Sequence, residues 1–249
     1  MKALILAAGS GKRLGILGKS VAKPMLPILE KPLLEYIIYL MARHGFNDLV
    51  INLFHLAESI KNHFGDGKPW NVNITYSLET HLLGTAGALT KVRDYFDEPF
   101  LVYYGDNLTN VDLSELWESH QSSSALATIG LIRMDEPTTR GIISLNKSRN
   151  IDRIIEKPTK SQVFDNYWVN AGCYIIEPDL INYIPKTGPV DFSRDVFPLL
   201  LAKKKILRGH PLKGQLLSTD TPKRYESALN AVMDGSFSLP QKGFNVDRY

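Results

Sequence analysis

An apolar run of about six residues, Ala3-Leu4-Ile5-Leu6-Ala7-Ala8, passes without a linker into Gly9-Ser10-Gly11-Lys12-Arg13. That junction constrains the fold more than any other stretch of the chain. A run this short, closed by glycine, reads as a buried first strand followed by a sharp turn. It is far below the ~20 residues that cross a bilayer. It is also shorter than the ~7–15-residue core of a secretion signal, and glycine and cations stand where a small-residue cleavage site belongs. The sequence alone is therefore read as cytoplasmic, with no membrane partner.

The pattern downstream alternates. Pro32 opens a helical stretch from Leu33 to His44, with Leu33, Ile37, Leu40 and Met41 on one face and Gly45 at the stop. Leu49–Leu53 reads as a buried strand and Ala57–Phe64 as a helix ended by Gly65. Val72, Ile74 and Tyr76 alternate as a strand, Thr85–Phe96 is helical, and Phe100–Tyr104 is a buried strand ending at Gly105-Asp106. Asp112 and Glu115 predict a capping box for a helix reaching His120. Strand–helix alternation implies parallel pairing with right-handed crossovers.

After Ser124 the character changes. Ala125–Arg133, Ile142–Leu145, Ile151–Glu156 and Trp168–Ile176 are strand-like with short connections, which suggests an antiparallel insertion in a mixed sheet. A helix over Arg194–Ala202, a strand near Ile206–Arg208 and a helix starting at Pro222 follow. Tyr225, Ala228, Leu229 and Val232 form the apolar face of that last helix. Residues Gly235–Tyr249 show no period. The expectation is an α/β chain with one domain over residues 1–234 and a tail over 235–249.

Composition removes several classes. With 44% hydrophobic and 22% charged residues the 249-residue chain is globular, and its net charge of +3 is too small for a nucleic-acid groove. One cysteine, Cys173, excludes an intramolecular disulfide and a cysteine-based zinc cluster. The six histidines lack metal-ligand spacing, and no Gly-x-Ser-x-Gly elbow occurs.

Charge is instead concentrated locally. Between Gly9 and Lys31 stand Lys12, Arg13, Lys19, Lys23 and Lys31 against Glu30 alone. Ligands of open α/β sheets bind beyond the carboxyl ends of strands, which selects Gly9–Lys23 and Gly105–Asn107. A cationic glycine loop there suits an anion. It is neither a dinucleotide fingerprint, because the third glycine position holds Leu14, nor a P-loop, because Arg13 stands five residues before Gly18-Lys19-Ser20.

Leu6-Ala7-Ala8-Gly9-Ser10-Gly11-Lys12-Arg13-Leu14, followed by Lys23-Pro24-Met25-Leu26-Pro27, resembles the opening of the sugar-1-phosphate nucleotidylyltransferases. Leu83-Gly84-Thr85-Ala86-Gly87, Gly105-Asp106, Glu156-Lys157-Pro158, Asn170-Ala171-Gly172 and Asp191-Phe192-Ser193 extend the resemblance over roughly residues 1–230. It implies a three-layer, Rossmann-like nucleotidyltransferase fold with a mixed, mostly parallel central sheet. It implies an enzyme that joins an NTP to a sugar 1-phosphate and releases pyrophosphate, with Mg²⁺ as cofactor. The Leu83–Gly87 loop looks closest to guanylyltransferases for mannose- or heptose-1-phosphate, with dTTP, UTP and CTP remaining open.

By the same resemblance Arg13, Lys23 and Asp106 are catalytic. Arg13 would support the triphosphate, Lys23 the α-phosphate and Asp106 a metal ion. Leu6, Ala7, Ala8, Gly9, Ser10, Gly11, Thr85, Ala86 and Gly87 would meet the nucleotide. Gly105, Glu156, Lys157, Asn170 and Gly172 would meet the sugar phosphate.

One position departs from the pattern. The family places a second metal-binding Asp in a Trp-x-Asp-x-Gly-Thr-Pro stretch, where this chain reads Leu216-Leu217-Ser218-Thr219-Asp220-Thr221-Pro222. Ser218 holds the Asp position. Asp220, two residues on, would share a face with it in an extended segment and is the candidate second metal ligand or the cap of the following helix. Two alternatives stand beside the main reading: a nucleotide-sugar-binding regulatory subunit that has lost catalysis, and a cytidylyltransferase for a phosphorylated alcohol. Oligomeric state is left open, homo-oligomers included.

Overall fold

A computed structural model describes residues 1–134, 138, 140–165 and 167–241. Along them the chain runs β1 (Lys2–Leu6), α1 (Ile16–Ser20), the two-residue strands β2 (Pro27–Ile28) and β3 (Lys31–Pro32), α2 (Leu33–Arg43), β4 (Asp48–Leu53), α3 (Ala57–Phe64) and β5 (Asn73–Leu78). It continues through α4 (Gly87–Lys91), β6 (Phe100–Tyr104), β7 (Asn107–Thr109), α5 (Leu113–Gln121), β8 (Ala127–Ile132), β9 (Ile142–Leu145), β10 (Ile151–Ile155) and β11 (Trp168–Ile176). Then follow α6 (Phe197–Ala202), β12 (Leu207–Pro211), β13 (Leu216–Ser218) and α7 (Pro222–Met233). The class is α/β with mixed β pairing.

The contacts divide the chain into two compact units. The first takes residues 1–82, 103–111 and the chain from Gly214 onward; the second takes 83–102 and 112–213.

The first unit is built on parallel strands. β4 pairs with β1 on one side and β5 on the other, Leu4 beside Val50 and Val50 beside Thr75. Ala3, Leu4, Ile5, Leu49, Val50 and Ile51 are fully buried, as strands covered on both faces require. The α2 helix buries more than its expected stripe, Glu35, Tyr36 and Tyr39 included. Glu35 tolerates this because Lys31 Nζ donates to it at 2.5 Å and Tyr39 Oη at 2.6 Å. β7 and β13 form a separate antiparallel ladder with Asn107 opposite Ser218. Each has three residues, too few to carry a period in sequence.

The second unit is mainly antiparallel: β8 with β11, β11 with β9 and β9 with β10, while β12 runs parallel to β8. Its core gathers Ile129, Leu131, Val169, Tyr174, Phe192 and Phe197, with the Tyr174 ring edge-on to Phe197 at 5.1 Å. Cys173 is buried here, its thiol pushed up to about 12 by burial, and serves as packing.

Three local expectations change. The helix expected over Thr85–Phe96 shortens to α4 and a 3-10 turn at Arg93–Tyr95, because Thr85 is drawn into a loop contact described below. The helix expected over Arg194–Ala202 splits into a π-turn, Phe192–Val196, and α6. Pro198 has no N–H to close a helical bond onto residue 194. At Asp112 only half the capping box forms: Asp112 accepts from Ser114 N at 2.8 Å, whereas Glu115 pairs with Lys213 at 2.7 Å. Beyond α7, Phe237 is buried and its N–H donates to Ala231 O at 2.9 Å. Of the stretch read as a tail, residues 242–249 lie outside the described residues. No helix among the described residues is long and apolar enough to cross a membrane.

Candidate functional site

In the first unit the carboxyl end of β1 is tied from two directions. Gly105 N donates to Leu6 O at 3.0 Å, and a Cβ at Gly105 would stand 2.9 Å from that carbonyl, so only glycine lets the backbones meet this closely. Ala7 N donates to the Asn52 side chain at 2.7 Å, and Asn52 Nδ2 donates to Glu79 at 2.7 Å, with Asn52 and Glu79 both buried. The ladder thus gives way to a side-chain relay where the glycine loop begins.

The loop then folds back on α1. Gly11 has φ +68, and its Cβ would lie 2.8 Å from Gly18 O; a Cβ on Gly18 would lie 2.2 Å from Gly11 O. The ring N–H of His55 donates to the same Gly18 carbonyl, with Nε2 at 3.0 Å. Lys23 closes the arrangement from the other side. Only 8% exposed, it runs its stem past Gly9, where a Cβ would sit 3.7 Å from Lys23 Cδ and 4.0 Å from Nζ. Its ammonium reaches Asp106 Oδ2 at 3.5 Å.

The β7–β13 ladder brings a distant segment to the same place. Thr219 donates to Asp106 O through its N–H at 3.2 Å and its hydroxyl at 3.1 Å. Asp220 follows, buried, with Arg13 Nη1 at 2.6 Å, Arg224 Nη1 at 3.0 Å and Ser218 Oγ at 3.0 Å. Burial alone would raise the Asp220 carboxyl; Arg224, Arg13 and Ser218 outweigh it and hold the group below its ordinary value. The contact from Ser218 bears out the shared face of residues 218 and 220. Helix α7 is capped by Thr221, whose hydroxyl accepts from Arg224 N at 3.3 Å, and not by Asp220.

The first unit therefore gathers Leu6, Ala7, Ala8, Gly9, Ser10, Gly11, Arg13, Lys23, Gly105, Asp106 and Asp220 around one loop.

The second unit gathers the others around Asp191. Gly84, at φ +81, sits so close to Val190 that a Cβ would lie 2.3 Å from its carbonyl oxygen. Ala86 N and Gly87 N both donate to that oxygen, at 2.9 and 3.2 Å. Thr85 Oγ1 donates to Asp191 Oδ2 at 2.8 Å and accepts from Phe192 N at 3.0 Å. Asp191 Oδ1 accepts from Ser193 N and Arg194 N at the start of the π-turn. Asn170 Nδ2 donates to Ser193 Oγ and Tyr174 Oη, each at 2.8 Å, while its Oδ1 accepts from Gly172 N at 2.8 Å. Glu156 is half-buried; burial first, and the Asp191 charge second, push its carboxyl up, against Lys157, Arg194 and Arg140. Lys157 is exposed, with φ +46 and its N–H on Arg140 O. Thr85, Ala86, Gly87, Asn170, Gly172 and Glu156 thus share one cluster, with Lys157 at its exposed edge.

Sequence reasoning did not assign Asn52, Glu79, Arg224, Asp191 or Ser193. Arg224 carried a readable signal, four residues after Asp220 on a helix start. The Asn52–Glu79 relay carried none, since a buried Asn–Glu contact between strands depends on three-dimensional pairing.

A glycine loop after the first strand of an α/β chain, closed by a buried lysine, is the build of a nucleotide-handling protein. The chain belongs to the nucleotidyl transferase family, whose model matches residues 2–216. A UTP–glucose-1-phosphate uridylyltransferase of Synechocystis is 36% identical over 215 residues, 81% of this chain and 55% of that protein. A mannose-1-phosphate guanylyltransferase of Mycobacterium tuberculosis is 33% identical over 201 residues, 80% of this chain and 55% of that one. The chain spans just over half the length of these relatives. Among solved structures, a candidate glucose-1-phosphate thymidylyltransferase from Bacillus anthracis, in complex with sucrose, superposes with a TM-score of 0.84 at 24% identity, covering 96% of this chain and 98% of that one. That likeness carries the fold.

Proposed function

We propose that the chain transfers a nucleoside monophosphate from an NTP to a sugar 1-phosphate, giving a nucleoside-diphosphate sugar and pyrophosphate. The observation that carries the reading is Lys23: a buried ammonium laid along Gly9 and aimed at Asp106 is built to meet phosphate beside a glycine loop. In the reaction a phosphate oxygen of the sugar 1-phosphate attacks the α-phosphorus. The bond from that phosphorus to the bridging oxygen breaks, and the electron pair leaves on pyrophosphate. The protein's task is positioning and charge neutralisation, with no covalent step of its own. Lys23 would steady the α-phosphate, the Gly9–Gly11 backbone the nucleotide, and Arg13 the departing pyrophosphate. In the second unit the Asn170, Gly172 and Glu156 cluster supplies the polar groups suited to sugar hydroxyls, with Lys157 for its phosphate.

Mg²⁺ would neutralise the nucleotide phosphates. Asp106, partly exposed and met at 3.5 Å by one ammonium, is the carboxylate that would hold the ion for the protein. Asp220 does not fit, because both of its oxygens already accept from guanidinium groups.

The two curated relatives differ in base and sugar and share the class of reaction. The Leu83–Gly87 loop favours GTP with mannose- or heptose-1-phosphate, and the Synechocystis relative adds UTP with glucose 1-phosphate. Pyrophosphate release across ATP, GTP, CTP, UTP and dTTP, each with several sugar 1-phosphates, tests this. One productive pair, lost in Arg13→Ala and on chelation, is the expected result. Silence across the grid with nucleotide-sugar binding retained would replace the reading with a regulatory binding module.

A further inference from the structure

Asp220 has 7% of its side chain exposed and is met by Arg13, Arg224 and Ser218. The two arginines differ in how much they remain open: Arg224 is 33% exposed and Arg13 is 61% exposed. A guanidinium carries five N–H donors in a planar fork. Asp220 grips Arg13 at Nη1, and the exposure of the side chain leaves the rest of that fork accessible. Arg13 lies in the Lys12–Leu14 turn, which follows Gly9–Gly11 directly in the chain.

The charges favour an anchor over a metal site. Two guanidiniums against one carboxylate leave the cluster one positive charge, so a polyanion approaching Arg13 is attracted. A divalent cation at Asp220 would have to displace both guanidiniums or stand beside them, and like charges at contact distance oppose it. Ser218, at the position where the family pattern carries a carboxylate, donates its hydroxyl to Asp220. An Asp there would add a second anion to the same pair of cations. Thr219, between them, is tied to Asp106 O by two hydrogen bonds, so the anchor is held at a fixed place relative to the loop.

We propose that Asp220 is a positioning residue, which anchors the Arg13 guanidinium beside the glycine loop so that its open N–H edges meet a triphosphate, and which holds no metal. This rests on the nucleotidylyl-transfer reading, and its test separates the two.

The probe is inorganic tripolyphosphate, titrated calorimetrically without metal into the full chain, Asp220→Asn, Arg13→Ala and the double variant. Asp220→Asn keeps the side-chain shape and removes the charge. It should weaken binding about tenfold, the scale of one charge-assisted hydrogen bond, and by less than about twofold when Arg13 is already alanine. An equal loss in both backgrounds would mean a merely structural role and overturn the proposal, as would no loss in the parent or no tripolyphosphate binding by the parent.

A second readout uses turnover on the productive substrate pair. The Mg²⁺ concentration for half-maximal pyrophosphate release should be unchanged in Asp220→Asn while the KM for NTP rises. A rise of about tenfold or more in that midpoint, the loss expected of a metal ligand, makes Asp220 a ligand and overturns the proposal. Silence of the parent chain on every substrate pair defeats the transfer reading and leaves the calorimetric cycle to decide on Asp220.

Discussion

The two units assemble their polar clusters in different ways. In the first, parallel strands deliver a contiguous loop, Gly9 to Lys23, and the functional groups are backbone and cations. In the second, a mainly antiparallel arrangement draws Thr85, Glu156, Asn170 and Asp191 from four separate segments, and the groups are side chains bonded to one another. A phosphate asks for charge and close backbone approach, which one loop can supply. Under the proposed function, a sugar ring presents hydroxyls in several directions, which suits groups drawn from separate segments such as Glu156 and Asn170, while Thr85 is the residue read for the nucleotide.

That contrast is open to direct attack. Lys23→Ala has the largest expected effect. Removing a preorganised cation from developing phosphate charge should cost about 10²–10³ in kcat, with the KM for the sugar 1-phosphate little moved. Steady-state kinetics on the productive substrate pair checks it, and a change confined to the sugar-phosphate KM would break the division of labour between the units. Asn170→Ala comes next. It removes the side-chain amide that bonds Ser193 Oγ, Tyr174 Oη and Gly172 N, so a loss of about 1–3 kcal/mol in denaturant unfolding is expected. The same variant should raise the sugar-phosphate KM about tenfold and spare the NTP KM, if one good hydrogen bond is lost. Equal damage to both substrates would make the cluster a general support.

The smallest effect concerns Glu156. Its folded-state carboxyl is raised, so whatever it contributes to stability is present below its unfolded value and is lost as pH rises through the folded one. Glu156→Gln should therefore melt higher than the parent at pH 8 and converge with it near pH 4. Melting curves at the two pH values decide, and a variant less stable than the parent at pH 8 would show that the charge is needed.

Much of the first unit was legible because its determinants are local. An apolar run, glycine at fixed offsets and a Lys-Pro element survive in linear sequence, and the β1, α2, β4 and α3 boundaries fall within two residues of the expected ones. What escaped depends on partners distant in the chain. Three residues at β13 become a strand only because Asn107–Thr109 offers an edge. The Thr85 helix loses its first turn to Asp191, and Asp220 takes its partners from residues 13, 218 and 224. Propensity reads the chain one window at a time, and these choices were made by tertiary contacts that outweigh it. Asp191-Phe192-Ser193 stands in the sequence as part of the resemblance, yet nothing in three residues discloses that they organise a whole cluster.

The pairing of Arg13 with Asp220 also sets a timetable. On a ribosome the glycine loop emerges before its carboxylate partner, which follows some two hundred residues later, about 10–40 s at ordinary elongation rates. For that interval Arg13 is without this carboxylate, whereas Lys23 meets Asp106 earlier. The second unit draws most of its cluster from residues 156–194 and can complete that part first. The unit whose glycine loop is made before the other unit's cluster is thus the one that closes after it, and a ribosome stalled before residue 214 would display a loop still waiting for its anchor.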